Sequence, residues 1–294
     1  MRDTNGRPLG GVQPENKKKA VILRAEHVSF SYCAGKMSSK SGLPEAVRDV
    51  NADFHSGQLI VIIGPNGSGK TTLLKCLASI YRNYSGRIYA ALQAGRDGAP
   101  QAMTDMRLLK GRARGRLVSY VPQNTNVDFD FTVHEIVLMG RNPHLGYFSS
   151  EGEADLAVAR TCMEEMGVWE LRDKIVRAIS GGERQRVVIA RALTQQAPLM
   201  LLDEPASMLD IYHQVAIMEL LRRHVRTENG TVITVMHDLN MAAKYADEMI
   251  LMDRGAIAAR GRPEQVLTAQ MIKQIYHVEG TVTDAFGSPV FFVK

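Results

Sequence analysis

A glycine-rich stretch in the first quarter of the chain has the residue types of a phosphate-binding loop. Residues Leu59 to Ile63 form an apolar run typical of a strand buried on both faces, and the pattern Gly-x-x-x-x-Gly-Lys-Thr follows at Gly64 to Thr71. Glycines let backbone N–H groups point at a polyphosphate, and the helix predicted to follow adds partial positive charge. In such a motif Lys70 would reach the β- and γ-phosphates, and the Thr71 hydroxyl would be a Mg²⁺ ligand. The candidate phosphate-binding residues are Gly64, Pro65, Asn66, Gly67, Ser68, Gly69, Lys70, Thr71 and Thr72.

Two adjacent carboxylates follow another apolar run and are candidates for metal binding and general-base chemistry. Asp203 and Glu204 come directly after residues 199–202, at the end of a predicted strand, where open α/β sheets bind their ligands. Mg²⁺ takes one or two carboxylates and keeps several waters, so Asp203 would hold the ion directly or through water. Glu204 would orient and deprotonate an attacking water molecule. The alternative is that two acids simply end a strand at the surface.

A serine and two glycines precede a predicted helix and form a second candidate anion site. Ser180, Gly181 and Gly182 are followed by Glu183 and a helix that contains several arginines. Free N–H groups and the helix dipole would face an incoming phosphate there. A chain with one nucleotide rarely needs two such sites, so the economical arrangement is a head-to-tail pair of chains, each completing the other's nucleotide site. An ordinary serine N-cap is the alternative for this segment.

Length, composition and charge are those of an ordinary globular protein. The chain has 294 residues, of which 45% are hydrophobic and 23% charged, and no uncharged apolar run approaches the roughly 18 residues that cross a bilayer. The N-terminus lacks the apolar core of a signal peptide, and Cys33, Cys76 and Cys162 fit no metal-binding spacing, which favours a soluble intracellular protein with reduced thiols. The net charge of +5 arises from residues 1–19 and 95–116. These segments are either solvated loops or contacts to an anionic membrane, and the rest of the chain lacks the charge of a nucleic-acid-binding groove.

The hydrophobic patterns predict a single α/β domain over residues 20–294, preceded by a disordered basic tail over residues 1–19. Helix signals replace strand signals over about 125–178, which we interpret as an all-helical subdomain inserted in that domain. Strands are predicted at 20–23, 28–32, 47–54, 59–63, 117–121, 199–202, 231–236 and 249–252.

Two loops and two helix starts can also be predicted. Residues 33–45 and 95–116 are rich in small, polar and charged residues and are predicted to be loops, the second with at most a short helix near Met103 to Leu109. Capping boxes, in which a Ser or Thr is followed three residues later by Glu, are predicted to open two helices of the subdomain. These pairs are Thr132 with Glu135 and Ser150 with Glu153.

Together the motifs resemble those of the ATP-binding subunits of ABC transporters, over essentially the whole chain from residue 21 to residue 294. The glycine-rich loop resembles the Walker A motif and residues 199–204 resemble Walker B. Residues 179–183 resemble the family signature, with Ile179 for the usual Leu and Glu183 for the usual Gln. Four further positions match the family: Gln123 the Q-loop glutamine, Asp210 the D-loop aspartate, His237 the switch histidine, and Tyr32 the aromatic residue that stacks on adenine.

The resemblance implies a fold class and a set of roles. The fold would be a P-loop NTPase core of the α/β class, with a mixed, largely parallel sheet, N-terminal antiparallel strands and the inserted helical subdomain. ATP and Mg²⁺ would be the cofactors. The implied catalytic residues are Glu204 as base, His237 at the γ-phosphate, Gln123 and Lys70; the implied metal ligands are Thr71, Gln123 and Asp203; and the implied nucleotide contacts include Tyr32, Ser180, Gly181, Gly182, Glu183 and Asp210.

The resemblance also implies partners and a location. The chain would pair with a second copy and bind integral membrane permease subunits at the cytoplasmic face of the membrane, as a peripheral subunit. It would serve an extracytoplasmic solute-binding protein indirectly and would not bind nucleic acid. Residues 120–123, 131–135, 139–144 and 261–276 resemble the subgroup of importers for iron chelates, haem and vitamin B12. Importers of zinc or manganese, soluble non-transport ABC ATPases, and a scaffold without ATPase activity are the alternatives.

Overall fold

The computed structural model describes residues 19–32, 45–91, 102–124, 130–146, 149–207, 209–285 and 287–294. The tail predicted over 1–19 and the loop predicted over 33–45 lie outside these residues, apart from Lys19 and Glu45. The first part of the basic segment 95–116 and Cys33 also lie outside them.

The secondary-structure elements are numbered in chain order. The strands are β1 (Val21–Phe30), β2 (Val47–His55), β3 (Leu59–Ile63), β4 (Ser85–Ala91), β5 (Met103–Asp105), β6 (Val118–Val121), β7 (Leu199–Asp203), β8 (Thr231–Val235), β9 (Glu248–Asp253), β10 (Ala256–Gly261), β11 (Gly280–Ala285) and β12 (Ser288–Val293). The α-helices are α1 (Lys70–Leu77), α2 (Gly111–Leu117), α3 (Val133–Leu138), α4 (Glu153–Glu165), α5 (Gly181–Thr194), α6 (Ile211–Thr227), α7 (Leu239–Tyr245), α8 (Pro263–Val266) and α9 (Ala269–Tyr276).

A six-stranded sheet forms the centre of the fold, in the order β10-β9-β3-β8-β7-β6. Its neighbouring strands are parallel except for β10, which pairs with β9 in the antiparallel direction. Strands β3, β7 and β8 are buried along their whole length, because apolar side chains on both faces need cover from both sides. The mixed, largely parallel sheet predicted for the core is confirmed. Since parallel strands end at the same edge, the segments after β3, β7 and β8 meet there.

The two faces of this sheet pack into two separate cores. Along β3, Leu59, Val61 and Ile63 join the core that contains α5, α6 and α7. Ile60 and Ile62 join the core that contains α1 and the N-terminal strands. Successive side chains of a strand point to opposite faces, so this one apolar strand connects both cores.

The antiparallel strands predicted at the N-terminus, β1 and β2, belong to a second sheet that also contains β4 and β5, in the order β2-β1-β4-β5. For the described residues 102–116, the prediction of a loop with at most a short helix near Met103 to Leu109 is wrong. Residues 103–105 instead pair with β4, Met106 is fully buried, and the helix of this segment begins at Gly111. Pairing with the edge of β4 is a long-range interaction that overrides the polar local composition.

The subdomain predicted over about 125–178 is helical in its described residues. They form α3, α4 and short 3₁₀ turns at 139–141, 169–171 and 176–178, with an isolated β-bridge between Thr132 and Ile175. Both α3 and α4 pack against α5, the helix that begins after Ser180. The subdomain and the signature segment are therefore physically connected.

One of the two predicted capping boxes is confirmed and the other is wrong. The Thr132 hydroxyl accepts a hydrogen bond from the Glu135 N–H, and the Glu135 carboxylate accepts one from the Thr132 N–H. Ser150 does not open the second helix, which begins at residue 153. The N–H of Gly152 donates instead to Asp155, whose carboxylate is oriented by a 2.7 Å bond from Arg141.

The elements after residue 255 are not among those predicted from hydrophobic patterns. Helices α8 and α9 pack near β10 and β11, and β11 and β12 form an antiparallel hairpin against α7. Within the described ranges, no helix is both long and apolar enough to span a lipid bilayer.

Candidate functional site

The segments that follow β3, β7 and β8 meet in an open cleft at the carboxyl edge of the central sheet. Its volume of about 510 Å³ is within the range of roughly 300–1,000 Å³ typical of small-molecule sites. Apart from Ala46, every lining residue is a site residue predicted above. The lining residues are Tyr32, Ala46, Asn66, Gly67, Gly69, Lys70, Thr71, Thr72, Gln123, Glu204 and His237.

The glycine-rich loop requires glycine at positions where neighbouring backbone approaches closely. A Cβ on Gly64 would lie 2.3 Å from the carbonyl oxygen of Met252, and one on Gly69 would lie 2.2 Å from that of Ala46. Gly69 has a φ of 98° and directly precedes α1. The first turn of α1 therefore faces the cleft with N–H groups that lack helical partners, as an anion site requires.

Lys70 lies inside this loop as a buried cation. Its Nζ donates 2.8 Å hydrogen bonds to the carbonyl oxygens of Gly64 and Pro65. Burial lowers the pKa of Lys70, while the negative charges of Glu204 and Asp203 oppose that shift. An anionic phosphate would stabilise the ammonium group more than these neutral oxygens do, because charge-assisted hydrogen bonds are stronger.

Asp203 and Thr71 form a pair of oxygen donors suited to a hard cation. The Thr71 hydroxyl donates a 2.8 Å hydrogen bond to Oδ1 of Asp203, which ends β7 and is 1% exposed. Burial raises the pKa of Asp203, since its charged form is poorly solvated, and the nearby charge of Glu204 adds to the shift. A divalent cation beside this carboxylate would offset the cost of burying its charge. The residues present therefore fit Mg²⁺.

Glu204 contacts two other predicted catalytic residues, Gln123 and His237, at the far side of the cleft. Its Oε2 accepts a 2.7 Å hydrogen bond from Nε2 of Gln123, and its Oε1 contacts Nε2 of His237. Glu204 has a φ of 50°, a left-handed conformation that is uncommon for non-glycine residues and is found often at functional sites. Only 9% of the Glu204 side chain is exposed, against 45% for His237. The carboxylate is held from both sides and faces the same cleft as Lys70.

Tyr32 lies at the mouth of the cleft with 64% of its surface exposed. Its hydroxyl is 2.8 Å from the Thr72 hydroxyl, and its ring packs edge-on against Phe30 and Tyr81. An exposed aromatic ring that is fixed in this way can stack on a planar base.

Ser180, Gly181 and Gly182 do not line the cleft of their own chain. Ser180 is the N-cap of α5: its hydroxyl accepts from the Glu183 N–H, and its own N–H and hydroxyl donate to the Glu183 carboxylate. Hydrogen bonding to Ser180 lowers the pKa of Glu183. Asp210 is likewise an N-cap, on α6, where it accepts from the His213 N–H at 2.9 Å. A phosphate contact from these residues would have to be made to another copy and stays a prediction.

Two supporting features of the site were not predicted. The N–H of Gly255 donates to the Ser68 carbonyl oxygen at 3.0 Å, so the turn after β9 supports the glycine-rich loop. Asp238 is the N-cap of α7 directly after His237, and its carboxylate accepts from the Met241 N–H at 2.8 Å. An aspartate before an apolar helix is a signal that could have identified the second feature, whereas no local signal marks the first.

Comparison with known proteins gives consistent matches. The model of the ABC transporter family matches residues 47–207. The chain is 38% identical over 228 residues to a cobalamin import ATP-binding protein, BtuD, of Halobacterium salinarum, covering 78% of this chain and 54% of that protein. It is 35% identical to an iron(3+)-hydroxamate import ATP-binding protein, FhuC, of Bacillus subtilis, covering 80% of this chain and 84% of the relative. The chain thus spans about half the length of the first of these relatives and most of the second.

Solved structures share the fold. A chain described as belonging to a metal-chelate type ABC transporter in an inward-facing conformation superposes with a TM-score of 0.73 at 26% identity, covering 93% of this chain and 97% of that one. The dimeric ATP-binding cassette MJ0796, bound to ADP and Pi after hydrolysis, superposes with a TM-score of 0.70 at 25% identity, covering 82% of this chain and 99% of that one.

Proposed function

This chain belongs to the ABC transporter family, and we propose that it is the ATP-hydrolysing subunit of an importer with separate membrane subunits. The observation that carries the proposal is the contact of Glu204 with both Gln123 and His237, in one cleft with a glycine-rich loop and its buried lysine. These groups supply a phosphate site, a metal site and a base for water, which are the parts that ATP hydrolysis needs.

In this proposal ATP binds along the glycine-rich loop. Backbone N–H groups of residues 64–72 surround the phosphates, and Lys70 exchanges its two carbonyl partners for β- and γ-phosphate oxygens. The exposed ring of Tyr32 stacks on the adenine. The oxygen donors that would hold the metal ion are Thr71, Asp203 and Gln123. When bound there, Mg²⁺ would neutralise negative charge on the transferred phosphoryl group.

Hydrolysis then depends on Glu204. Its carboxylate orients a water molecule for attack on the γ-phosphate and accepts the proton of that water. Gln123 donates to one carboxylate oxygen and His237 contacts the other, so both fix the direction in which Glu204 points. The side chain of His237 is 45% exposed, against 9% for Glu204, which leaves His237 free to donate to the γ-phosphate as well.

The proposed active form is a head-to-tail pair of chains. Ser180, Gly181 and Gly182 are at least partly exposed, precede α5 and lie outside their own cleft, so they are available to the nucleotide of a second copy. The dimer of MJ0796 supports such a pair by analogy. Since ATP would bridge the two chains, its binding favours the closed pair and its hydrolysis lets them separate.

We propose an iron chelate, haem or cobalamin as the cargo class. The relatives named above import cobalamin and iron(3+)-hydroxamate according to their names, and a hemin import protein of Plesiomonas shigelloides is 34% identical over 264 residues. The chain would work peripherally at the cytoplasmic face of the membrane, bound to permease subunits that receive cargo from an extracytoplasmic binding protein. Zinc or manganese import remains the alternative cargo class.

Replacing the proposed base tests the hydrolytic function directly. Glu204→Gln keeps the size of the side chain but cannot accept the proton of water, so steady-state ATP hydrolysis should fall at least roughly 100-fold while ATP affinity is retained. The matched control is Glu170→Gln, an exposed carboxylate that does not line the cleft, which should hydrolyse ATP at the parent rate. Hydrolysis by Glu204→Gln at the parent rate would reject Glu204 as the base.

The cargo is tested on the membrane complex. The chain is co-expressed with candidate permease subunits, purified with them and reconstituted into vesicles. ATP-dependent uptake is then compared for an iron chelate, haem, cobalamin and zinc. Failure to co-purify with any membrane subunit in the presence of ATP would contradict the importer assignment.

A further inference from the structure

The side chain of Asn240 ties helix α7 to the C-terminal hairpin. Its Oδ1 accepts a 2.8 Å hydrogen bond from the Phe291 N–H, and its Nδ2 donates a 3.2 Å bond to the Phe291 carbonyl oxygen. The amide thus pairs with strand β12 as a neighbouring backbone would. The two residues are 51 positions apart, so this contact joins two distant parts of the chain.

His237 lies between strand β8, which ends at Val235, and helix α7, which begins at Leu239, so the position of α7 helps to locate the histidine. Asp238 is the N-cap of α7, and Asn240 is the second residue of the helix. The inward side of α7 packs in the core through Ala242, Ala243 and Tyr245. Asn240 lies on the exposed side, three residues from His237. A helix of seven residues has little intrinsic stability, so contacts of this kind determine where its first turn lies.

The hairpin of β11 and β12 is itself held in place by strand pairing and by packing against the core. Strands β11 and β12 pair along their full length, from Gly280 opposite Val293 to Ala285 opposite Ser288. The ring of Phe291 packs against the main core and lies so close to Gly280 that a Cβ there would meet it at 2.4 Å. Asn240 therefore holds α7 against a part of the chain that is itself packed in place.

We infer that Asn240 is a positioning residue for ATP hydrolysis: by fixing α7 to the C-terminal hairpin, it holds His237 in contact with Glu204. This inference rests on the proposed function. Small displacements of a catalytic group reduce its contribution strongly, whereas ATP affinity depends mainly on the glycine-rich loop, which Asn240 does not touch. Loss of the Asn240 contact should therefore lower kcat and leave the KM for ATP unchanged.

Two substitutions separate positioning from a general effect on helix stability. Asn240→Ala removes both hydrogen bonds to Phe291. Asn240→Asp keeps the shape but places a carboxylate against the Phe291 carbonyl oxygen, while a negative charge in the first turn favours α7 itself. If Asn240 only stabilises its helix, Asn240→Asp should hydrolyse ATP at least as well as the parent. If it positions His237, both variants should show a roughly three- to tenfold lower kcat with KM within twofold of the parent.

The experiment measures steady-state ATP hydrolysis by the purified full chain and, in parallel, hydrogen exchange of residues 238–241. The matched control is Phe292→Ala, whose side chain is 54% exposed and whose backbone keeps the hairpin, and it should match the parent. The inference would be overturned if the kcat of Asn240→Asp equalled that of the parent. It would also be overturned if kcat and KM changed by the same factor in Asn240→Ala.

The two proposals can fail separately. Absence of ATP hydrolysis in the parent would contradict the proposed function. Hydrogen exchange would still report on the contact, because it requires no nucleotide. Faster exchange of residues 238–241 in Asn240→Ala would show that the hairpin stabilises α7. Unchanged exchange in Asn240→Ala would reject the positioning role of Asn240, whether or not the chain hydrolyses ATP.

Discussion

Asp203 and Glu204 are neighbours in sequence, but their surroundings suit them to different chemistry. Asp203 is the last residue of a fully buried strand, so its charge is poorly solvated, and it accepts a hydrogen bond from Thr71. Glu204 turns out of the strand with a positive φ and is held by Gln123 and His237 beside the cleft. One carboxylate is therefore suited to a metal ion and the other to water.

Asp203→Asn is expected to stabilise the nucleotide-free chain while it removes Mg²⁺-dependent hydrolysis. Burial raises the pKa of Asp203 in the folded state above the ordinary value of 3.8, so folding stability falls as pH rises through the folded-state pKa. The amide accepts the Thr71 bond without a charge to desolvate. At neutral pH the variant should therefore unfold at a higher temperature than the parent, and hydrolysis should fall roughly 100-fold or more.

The gain in thermal stability should disappear in acid, where the parent carboxyl is also protonated in both states. The control is Asp173→Asn, whose side chain is 84% exposed and which should change neither stability nor hydrolysis. A lower unfolding temperature for Asp203→Asn at neutral pH would contradict the argument that burial of this charge destabilises the apo chain.

At the scale of elements, strong local patterns were predictive and long-range pairing was not. The apolar runs of β3, β7 and β8 and the Thr132 cap carry their structure in a few adjacent residues, and each was found where it was predicted. The Ser180 cap, which was the alternative to an anion site, also depends on adjacent residues. Strand β5 depends on the edge of β4, and the start of α4 depends on Arg141, both distant in sequence. The residues adjacent to β5 and to the start of α4 contain no pattern from which these distant contacts could be predicted.

Arg141 is expected to stabilise the helical subdomain more than an exposed charged residue would. Its Nε donates to Asp155, and its Nη1 donates to the Thr194 carbonyl oxygen at 3.0 Å and to Gln196 at 2.8 Å, with 11% of the side chain exposed. Arg141→Met removes the link between α4 and the end of α5. The loss of these charge-assisted hydrogen bonds should lower the unfolding free energy by about 2 kcal/mol in denaturant titration.

The pH dependence of this effect identifies the Asp155 contact. The Arg141 hydrogen bond is the largest cause that lowers the pKa of Asp155, so its contribution to stability is present above the unfolded pKa and is lost as pH falls through the folded one. The difference between parent and Arg141→Met should shrink in acid. Arg160→Met is the control: it breaks an exposed pair with Glu164 and the contact of Arg160 with the Trp169 ring, and its effect should be smaller and change little with pH.

At the scale of the whole molecule, the prediction that one chain supplies only part of each nucleotide site comes from the sequence and leads to the proposed head-to-tail pair. Residue types predict a phosphate loop and a second, serine–glycine anion site, and Ser180 does not line the cleft of its own chain. The roles of Ser180 and Asp210 in one chain are those of helix N-caps. The position of the C-terminal hairpin could not be inferred, because the pairing of Asn240 with Phe291 has no local pattern.

A head-to-tail pair predicts that a charge placed before α5 will prevent association without affecting ATP binding. In a Glu204→Gln background, ATP should convert the chain to dimers in sedimentation or size-exclusion experiments. Adding Gly181→Asp should keep it monomeric, because the carboxylate would face the partner's phosphates, while its own glycine-rich loop binds ATP with parent affinity. The space around Gly181 is open to at least 4 Å, so a side chain there should not disturb folding.

The matched control is Gly152→Asp, an equally open glycine at the start of α4, which should dimerise normally. Dimers of the Gly181→Asp chain with ATP would show that α5 does not face the nucleotide of a second copy.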